Sequence, residues 1–188
     1  MTNIALPSTS QKQGKHIFVT VGTTRFDKLV SSATSKVALA WMERQGFSSL
    51  TIQYGKGAQP EVDPNELCRS SLNIQSYDFR PSLKTDMENA DLILSHAGAG
   101  TVMEVLRMHK KLIVVINTQL MDNHQTELAG AMADRGHLCM VEFPEKLDER
   151  QTWTSFEDFS PVPHQEGDAY DMPRLLDSFL GFTSSKVE

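Results

Sequence analysis

The sequence predicts an α/β fold with a doubly wound, Rossmann-like, mostly parallel sheet that helices cover on both faces. Segments typical of strands alternate with segments typical of helices along most of the chain. The strand segments are short and almost continuously apolar, as expected for strands buried on both faces. A length of 188 residues suits one ordinary domain. We predict a Rossmann-like domain over residues 15–143, between a flexible N-terminal tail at 1–14 and a C-terminal linker and helix at 144–188.

The first half of this domain alternates three strands with two helices. A β-branched run that ends at Gly22 is the first strand, and a similar run before Gly55 is the second. Between them, apolar residues recur at steps of three and four, which predicts one amphipathic helix. A surface excursion with prolines and charges leads to a short strand and a short helix. In order, these elements are residues 16–21, 26–44, 50–54, 58–71, 72–75 and 81–89.

The second half carries the most regular pattern. A buried strand leads through a tight glycine turn into a helix, and a continuous aliphatic strand follows. A polar loop, another helix and a short strand complete the sheet. From Pro144 to Pro173, prolines and acidic residues predict a linker or irregular wrap, before a short amphipathic helix. In order, these elements are residues 91–95, 96–100, 101–109, 112–116, 117–123, 124–134, 137–141, 144–173 and 172–182.

Composition and charge exclude several classes of function. The chain carries 18 Lys and Arg against 24 Asp and Glu, and it lacks the basic stripe typical of nucleic-acid binders. The longest aliphatic run, residues 112–116, is about a quarter of the ~20 residues needed to span a bilayer. Residues 1–15 lack the apolar core of a secretory signal. Cys68 and Cys139 lack metal-site spacing, so we expect reduced thiols in a cytosolic compartment.

Three polar or glycine-rich loops, 22–24, 95–101 and 117–123, are expected at the carboxyl edge of the sheet, where open α/β folds bind ligands. Glycines let the backbone approach a ligand, and the next helix N-terminus offers N–H groups to an anion such as a diphosphate. Alternatively, Gly98 and Gly100 only permit close packing of helix on strand. The missing third glycine disfavours a dinucleotide site.

Several polar residues near these loops have competing interpretations. Thr101 and Glu104 fit a capping box, but the Glu104 carboxylate could instead accept hydrogen bonds from a ribose diol. His96 suits either a structural donor or an acid–base group. Asp122 or Asn123 could cap the helix that follows, or belong to a polar fork that binds sugar hydroxyls.

Three motifs occur in order within residues 16–140: FVTVGTTxFDxL at 18–29, SHAGAG at 95–100 and LMDNHQ at 120–125. Together they resemble the cytosolic donor-binding subunits of the eukaryotic two-subunit UDP-N-acetylglucosamine transferase of N-glycan assembly. The resemblance implies a fold similar to the C-terminal half of a GT-B glycosyltransferase. It further implies an inverting transfer of GlcNAc from UDP-GlcNAc to GlcNAc-diphosphodolichol, with no metal or other cofactor.

The resemblance also assigns roles to individual residues. It implies that Glu104 binds the ribose of uridine and that His124 and Gln125 bind the GlcNAc hydroxyls. The general base is expected on a partner subunit, and His96 is the candidate within this chain. The implied substrate-binding residues are Gly22, Thr23, His96, Ala97, Gly98, Gly100, Thr101, Glu104, Asn123, His124 and Gln125.

A membrane-anchored partner subunit that binds the acceptor is implied as well. The C-terminal helix is expected to dock on it through Leu175, Leu176 and Phe179. The chain would then be cytoplasmic and recruited to the cytosolic face of the endoplasmic reticulum. The alternative is a non-catalytic UDP-sugar-binding module that regulates or scaffolds a partner.

Overall fold

A computed structural model of the chain describes residues 14–63, 70–117 and 123–164. Within these residues, the chain forms six strands and six α-helices. The strands are β1 (Lys15–Thr20), β2 (Phe47–Gln53), β3 (Asn73–Tyr77), β4 (Leu92–His96), β5 (Lys111–Val115) and β6 (Cys139–Val141). The helices are α1 (Asp27–Ala33), α2 (Lys36–Arg44), α3 (Lys84–Asn89), α4 (Ala99–Arg107), α5 (Asn123–Asp134) and α6 (Arg150–Ser155).

The six strands form one parallel sheet in the order β3-β2-β1-β4-β5-β6. In the central pairs, Ile17 of β1 lies opposite Leu50 of β2 and Leu92 of β4. The chain runs outward from β1 to β3 and then returns to the other side of β1 for β4. The carboxyl ends of β1 and β4 therefore border the crevice where such a sheet binds its ligands. The predicted Rossmann-like fold is confirmed.

Apolar side chains fill both faces of the sheet because the inner strands alternate between them. Ile17 and Val19 of β1 belong to the cluster that α1 and α2 cover, whereas Phe18 belongs to the cluster beneath α3, α4 and α5. The corresponding residues of β4 and β5 divide in the same way. A strand buried on both faces needs apolar residues at successive positions, which explains the continuous aliphatic runs.

The single helix predicted over residues 26–44 is wrong, since the chain forms two helices there. Thr34 ends α1, and its hydroxyl donates to the carbonyl oxygens of Val30 at 3.2 Å and Ser31 at 3.1 Å. Ser35 then caps α2, because its Oγ accepts from the N–H of Ala38 at 3.3 Å. Hydroxyls that bond to nearby backbone groups compete with helix continuation. The apolar period continues across the break because both helices cover the same face.

Residues 144–156 differ from the linker that the sequence predicts. Pro144–Asp148 form a 3₁₀ segment, α6 follows, and Trp153 is buried in the apolar cluster. Its indole N–H donates to the carbonyl oxygen of Leu147 at 2.6 Å. The sequence predicts a linker here because the segment is rich in proline. Proline is, however, favoured in the first turn of a helix, which is the position of Pro144. The packed core thus extends through residue 156.

Some expectations lie outside the described residues. These are the tail up to residue 13, Cys68, Asp122 and the helix at 172–182 with its docking residues. In the part of the chain that the structure describes, no helix is both long and apolar enough to cross a membrane.

Candidate ligand-binding site

A cavity of about 370 Å³ opens at the carboxyl edge of the sheet, beside the ends of β1 and β4. Six of the residues that the sequence singles out line it, namely Gly22, Thr23, His96, Gly98, Gly100 and Thr101. The structure therefore brings the loop after β1 and the glycine turn after β4 together in one cavity, as parallel strands with a shared carboxyl edge require.

The N-terminus of α4 supplies hydrogen-bond donors to this cavity. The first hydrogen bond within the helix runs from the N–H of Val102 to the carbonyl oxygen of Gly98 at 2.9 Å. The N–H groups of Ala99, Gly100 and Thr101 precede that bond, and all three residues line the cavity. Gly98 at the N-cap has no side chain to bond them. Such a terminus carries partial positive charge and suits an anion.

His96 packs tightly between two glycines. A Cβ at Gly98 would lie 2.4 Å from its Nε2, and a Cβ at Gly22 would lie 2.9 Å from its Cε1. Gly22 also has a φ of +60°, which favours glycine. The packing explanation therefore holds for Gly98. It does not hold for Gly100, where an added Cβ would meet no atom within 4 Å.

The imidazole of His96 forms part of the cavity lining. The residue is 5% exposed, and among the described residues its Nδ1 has no hydrogen-bond partner. Burial lowers the pKa of His96, and the backbone of Thr20 opposes this shift in part. A buried imidazole of this kind is neutral at pH 7. His96 therefore brings a ring without a formal charge to a site whose other groups favour an anion.

The predicted capping box at Thr101 and Glu104 is wrong. Helix α4 begins at Ala99 with Gly98 as N-cap, so Thr101 already lies within the first turn. Glu104 is half-buried, and among the described residues its carboxylate makes no hydrogen bond or ion pair. It follows Gly100 by four residues and Thr101 by three, which places it on their side of the helix. Glu104 itself is not part of the cavity lining, and among the described residues its carboxylate caps no helix.

A network of hydrogen bonds centred on Gln53 supports the cavity, and the sequence did not predict it. Gln53, at the end of β2, is 1% exposed and lines the cavity. Its Nε2 donates to the carbonyl oxygens of Gly22 at 2.8 Å and Asp78 at 2.7 Å, and its Oε1 accepts from Thr20 Oγ1 at 2.6 Å. In the sequence, the only sign of this network is a glutamine within the predicted strand at 50–54.

The loop after β3 completes the cavity, and it too was missed. Arg80 lines the wall, with its guanidinium 3.9 Å from the ring centroid of Tyr77. Its Nη1 donates to both carboxylate oxygens of Asp86, at 2.9 and 3.1 Å. The hydroxyl of Tyr77 donates to Asp86 Oδ2 at 2.6 Å, and burial together with this bond raises the pKa of Tyr77. These contacts fix the guanidinium of Arg80 at the wall, where the Asp86 carboxylate balances part of its charge. Open α/β sheets bind ligands at the carboxyl ends of their strands, and applying this rule to the predicted third strand would have identified this loop.

The exposed ring of Phe79 lies beside Arg80. Phe79 is 65% exposed and also lines the cavity. An exposed aromatic ring next to a cavity with anion-binding groups can stack on a planar base. Within the described residues, no group of three or more His, Cys, Asp or Glu side chains could hold a metal ion.

Ala97, Glu104 and Asn117 are not among the residues that line the cavity. Ala97 is buried in the apolar cluster beneath α4. Asn117, after β5, is buried, and its Nδ2 donates to the carbonyl oxygen of Arg25 at 3.2 Å. Asn123 begins α5, so His124 and Gln125 follow in its first turn, and their roles stay predictions.

Comparison with known proteins identifies relatives of this fold and sequence. Residues 16–155 match the family model of the glycosyltransferase family 28 C-terminal domain. The chain is 44% identical over 124 residues to UDP-N-acetylglucosamine transferase subunit ALG13 of Homo sapiens, which covers 66% of this chain and 11% of that protein. It is 30% identical over 153 residues to the subunit of the same name in Saccharomyces cerevisiae, covering 66% of this chain and 76% of the relative.

Solved structures agree with this result. An NMR solution structure of ALG13 matches with a TM-score of 0.59 and 26% identity, over 87% of this chain and 96% of that chain. The crystal structure of Acinetobacter baumannii MurG matches with a TM-score of 0.56 and 22% identity, over 79% of this chain and 43% of that chain, which shows a shared fold. The chain spans about a tenth of the length of its human and mouse relatives.

Proposed function

The chain belongs to the family of glycosyltransferase family 28 C-terminal domains, and from this premise we propose that it binds UDP-GlcNAc as the donor subunit of a two-subunit N-acetylglucosaminyltransferase. Its relatives are named as UDP-N-acetylglucosamine transferase subunits. The observation that carries the proposal is the cavity in which the N-terminus of α4, Gly100 and Arg80 converge. A nucleoside diphosphate has the charge that this combination attracts.

The proposed pose puts the diphosphate at the N–H groups of Ala99, Gly100 and Thr101. The open space at Gly100 supports this pose, because a phosphate can approach the backbone closely there. Glu104, which has no partner among the residues that the structure describes, would accept hydrogen bonds from the ribose diol. The hydroxyls of GlcNAc would bind His124 and Gln125 in the first turn of α5.

The proposed reaction inverts the anomeric carbon of the donor. The 4-hydroxyl oxygen of the acceptor sugar forms the new bond to that carbon as the bond to the diphosphate breaks. UDP leaves with the bonding electrons, and a base on the partner subunit takes the hydroxyl proton. Charge then gathers on the diphosphate, where the helix N-terminus and Arg80 would stabilise it without a metal ion.

The partner is proposed to be a membrane-anchored subunit that presents GlcNAc-diphosphodolichol. The relatives' designation as subunits supports a partner of some kind. We further propose that the chain is cytoplasmic and acts at the cytosolic face of the endoplasmic reticulum. Docking through Leu175, Leu176 and Phe179 is a proposal about residues outside the described ranges.

The test is transfer of labelled GlcNAc from UDP-GlcNAc to a GlcNAc-diphosphoryl-lipid, with the chain alone and with its co-expressed membrane subunit. Activity in the pair and not in the single chain supports a split enzyme. A chain that binds UDP but supports no transfer in either preparation would indicate a regulatory module. A chain that binds no UDP would contradict both.

The Glu104→Ala variant tests the donor pose. Removing one charged hydrogen-bond acceptor should weaken UDP-GlcNAc binding by about ten- to a hundredfold, or ~1.5–3 kcal/mol. The unfolding free energy should change little, because the carboxylate caps nothing. Glu157→Ala is the control, since Glu157 is exposed and lies near Lys15 and Lys111, which begin their strands at the opposite edge of the sheet. Equal affinities of the two variants would contradict the pose.

A further inference from the structure

The side chain of Gln53 bonds directly to two loops that the backbone joins only through residues 53–56. The loop after β1 contains Gly22, and the loop after β3 begins at Asp78. Strand β2 lies between β1 and β3, so no ladder of backbone hydrogen bonds links these two strands. The side-chain amide of Gln53 extends past the end of β2 and bonds to the carbonyl oxygens of both loops.

The orientation of this amide follows from its partners. The carbonyl oxygens of Gly22 and Asp78 can only accept, so the nitrogen of the Gln53 side chain must face them. The amide oxygen then accepts from the hydroxyl of Thr20. Both N–H groups of the amide are thus used, and a buried amide with fewer partners would be costly.

Thr20 extends the connection to the other side of Gly22. Its Oγ1 donates to Gln53 and accepts from the N–H of Gly22 at 3.2 Å. Gly22 is therefore held at both its carbonyl and its N–H group. Gly22 has a φ of +60° and packs against the imidazole of His96. The two hydrogen bonds of Gly22 therefore also fix the position of the loop relative to this ring.

We propose that Gln53 is a positioning residue that sets the spacing between two walls of the donor cavity, the Gly22–Thr23 wall and the Phe79–Arg80 wall. The proposal rests on the proposed function for the identity of the ligand. Without the amide, the backbone bonds of Val21 to Gln53 and of Tyr54 to Tyr77 remain, but the direct side-chain link between the carbonyl oxygens of Gly22 and Asp78 is lost. The ligand must then order both loops when it binds, which lowers its affinity.

The first experiment uses the ligand-free full chain and measures backbone amide hydrogen exchange. Gln53→Met keeps the size of the side chain but removes both donors. Exchange should become about tenfold faster at residues 22–24 and 78–80 together, while the cores of β1 and β4 stay protected. Gln75→Met is the control, because Gln75 lies exposed on β3. Unchanged exchange, or faster exchange in a single loop, would overturn the proposal.

Thr20→Val tests the same network should Gln53→Met fold poorly. It removes the bonds to Gly22 and Gln53 but leaves the two amide donors in place. Exchange should then increase at residues 22–24 and stay near the wild-type rate at 78–80. Equal loosening of both loops would contradict a role of Gln53 as the direct link.

The second experiment measures UDP-GlcNAc affinity by calorimetry. Gln53→Met should bind about tenfold more weakly than the wild type. Gln53→Glu should bind weakly at pH 8, where a carboxylate faces two carbonyl oxygens, and partly recover at pH 5.5, where a protonated carboxyl group can donate to one. A role in packing alone would give the methionine and glutamate variants the same loss at both pH values.

The two experiments separate this proposal from the proposed function. If the wild type does not bind UDP-GlcNAc, the proposed function fails, and hydrogen exchange still decides whether Gln53 links the loops. If the wild type binds and Gln53→Met binds equally well, the positioning role is overturned while the proposed function stands.

Discussion

Gly98 and Gly100 are two residues apart, yet they are glycines for different reasons. A side chain at Gly98 would collide with His96, whereas one at Gly100 would enter open space beside the cavity. Gly98 is therefore needed for the close packing of the backbone against the His96 ring. Gly100 leaves room for something else, which the proposed function identifies as the diphosphate of the donor.

Replacing each glycine by alanine should separate these two roles. Gly98→Ala should lower the unfolding free energy by about 1–3 kcal/mol, because the new methyl group overpacks the His96 contact. Gly100→Ala should keep or raise stability by up to ~1 kcal/mol, since alanine favours a helix, and should weaken UDP binding at least about tenfold. Urea unfolding and calorimetry measure the two effects. Tight UDP binding by Gly100→Ala would contradict the close approach of the phosphate.

The burial of His96 predicts how stability depends on pH. Its pKa in the folded chain lies below the usual value of about 6.5, so below that pH the unfolded chain binds more protons than the folded chain. The stabilisation is fully present above pH 6.5 and decreases as the pH falls toward the folded-state pKa. Burial lowers the pKa of His16 as well, with the same sign.

An NMR titration of the imidazole signals should therefore find a pKa for His96 below that of histidine in an unstructured peptide of the same local sequence. Urea unfolding at pH 7.5 and 5.5 should show lower stability at the lower pH. A His96 pKa at or above the peptide value would mean that the ring is not buried as described.

At the scale of the elements, two neighbouring hydroxyl groups mark the division between α1 and α2, that of Thr34 at the end of α1 and that of Ser35 at the start of α2. Ser35 lies between the two helices, and its Oγ accepts the N–H of Ala38. An amphipathic period does not reveal such a break, because residues on both sides of it face the same apolar cluster. Helix caps are local features with small free energies, whereas periodicity records only which face is buried.

The Ser35→Ala variant should lower the unfolding free energy by about 0.5–2 kcal/mol, the usual cost of removing a helix N-cap. The matched control is Ser31→Ala. Ser31 is exposed on α1, and its hydroxyl donates to the carbonyl oxygen of Lys28 at 3.1 Å. Its loss should change stability by less than ~0.5 kcal/mol. Urea unfolding of both variants gives the comparison, and equal effects would show that Ser35 does not act as a cap.

The strands and the glycine turn were predictable because their causes are local. An aliphatic run such as Leu112–Val115 needs burial on both faces, and a turn with two glycines marks a close approach of the backbone. The roles of Gln53 and Arg80 were not predictable in this way. Gln53 depends on partners 25 or more residues away in the sequence. Arg80 depends on the fold, which places the loop after β3 beside the loops after β1 and β4. Their residue types alone carry no such information.

The start of α4 shows how a small error in an element changes the interpretation of a residue. A helix capped by Thr101 makes Glu104 a capping residue, whereas one that begins at Ala99 leaves Glu104 in the second turn with no capping role. Thr101 has good N-cap chemistry, so the sequence favoured it. The N-cap is instead Gly98, whose carbonyl oxygen accepts the first hydrogen bond of the helix from the N–H of Val102.

At the scale of the whole molecule, residues 144–156 complete one face of the sheet. Helices α1 and α2 cover part of this face, and the rings of Trp41, Trp153 and Phe156 close it at one end. The centroids of the Trp41 and Trp153 rings lie 5.1 Å apart, and Phe156 contacts both rings edge-on. An aromatic cluster of this size contributes much of the apolar area that a small domain buries.

If this segment belongs to the core, Trp153→Ala should be among the most destabilising single changes in the chain. Trp153 is 1% exposed and its N–H is bonded to Leu147, so truncation leaves a large cavity and an unpaired carbonyl oxygen. The expected loss is about 3–5 kcal/mol, measured by urea unfolding. Phe143→Ala is the control, because Phe143 is 50% exposed just before the segment. A linker would tolerate both changes equally, so similar small losses would place residues 144–156 outside the core, whereas a large loss confined to Trp153 would show that the sheet needs this segment to bury its face.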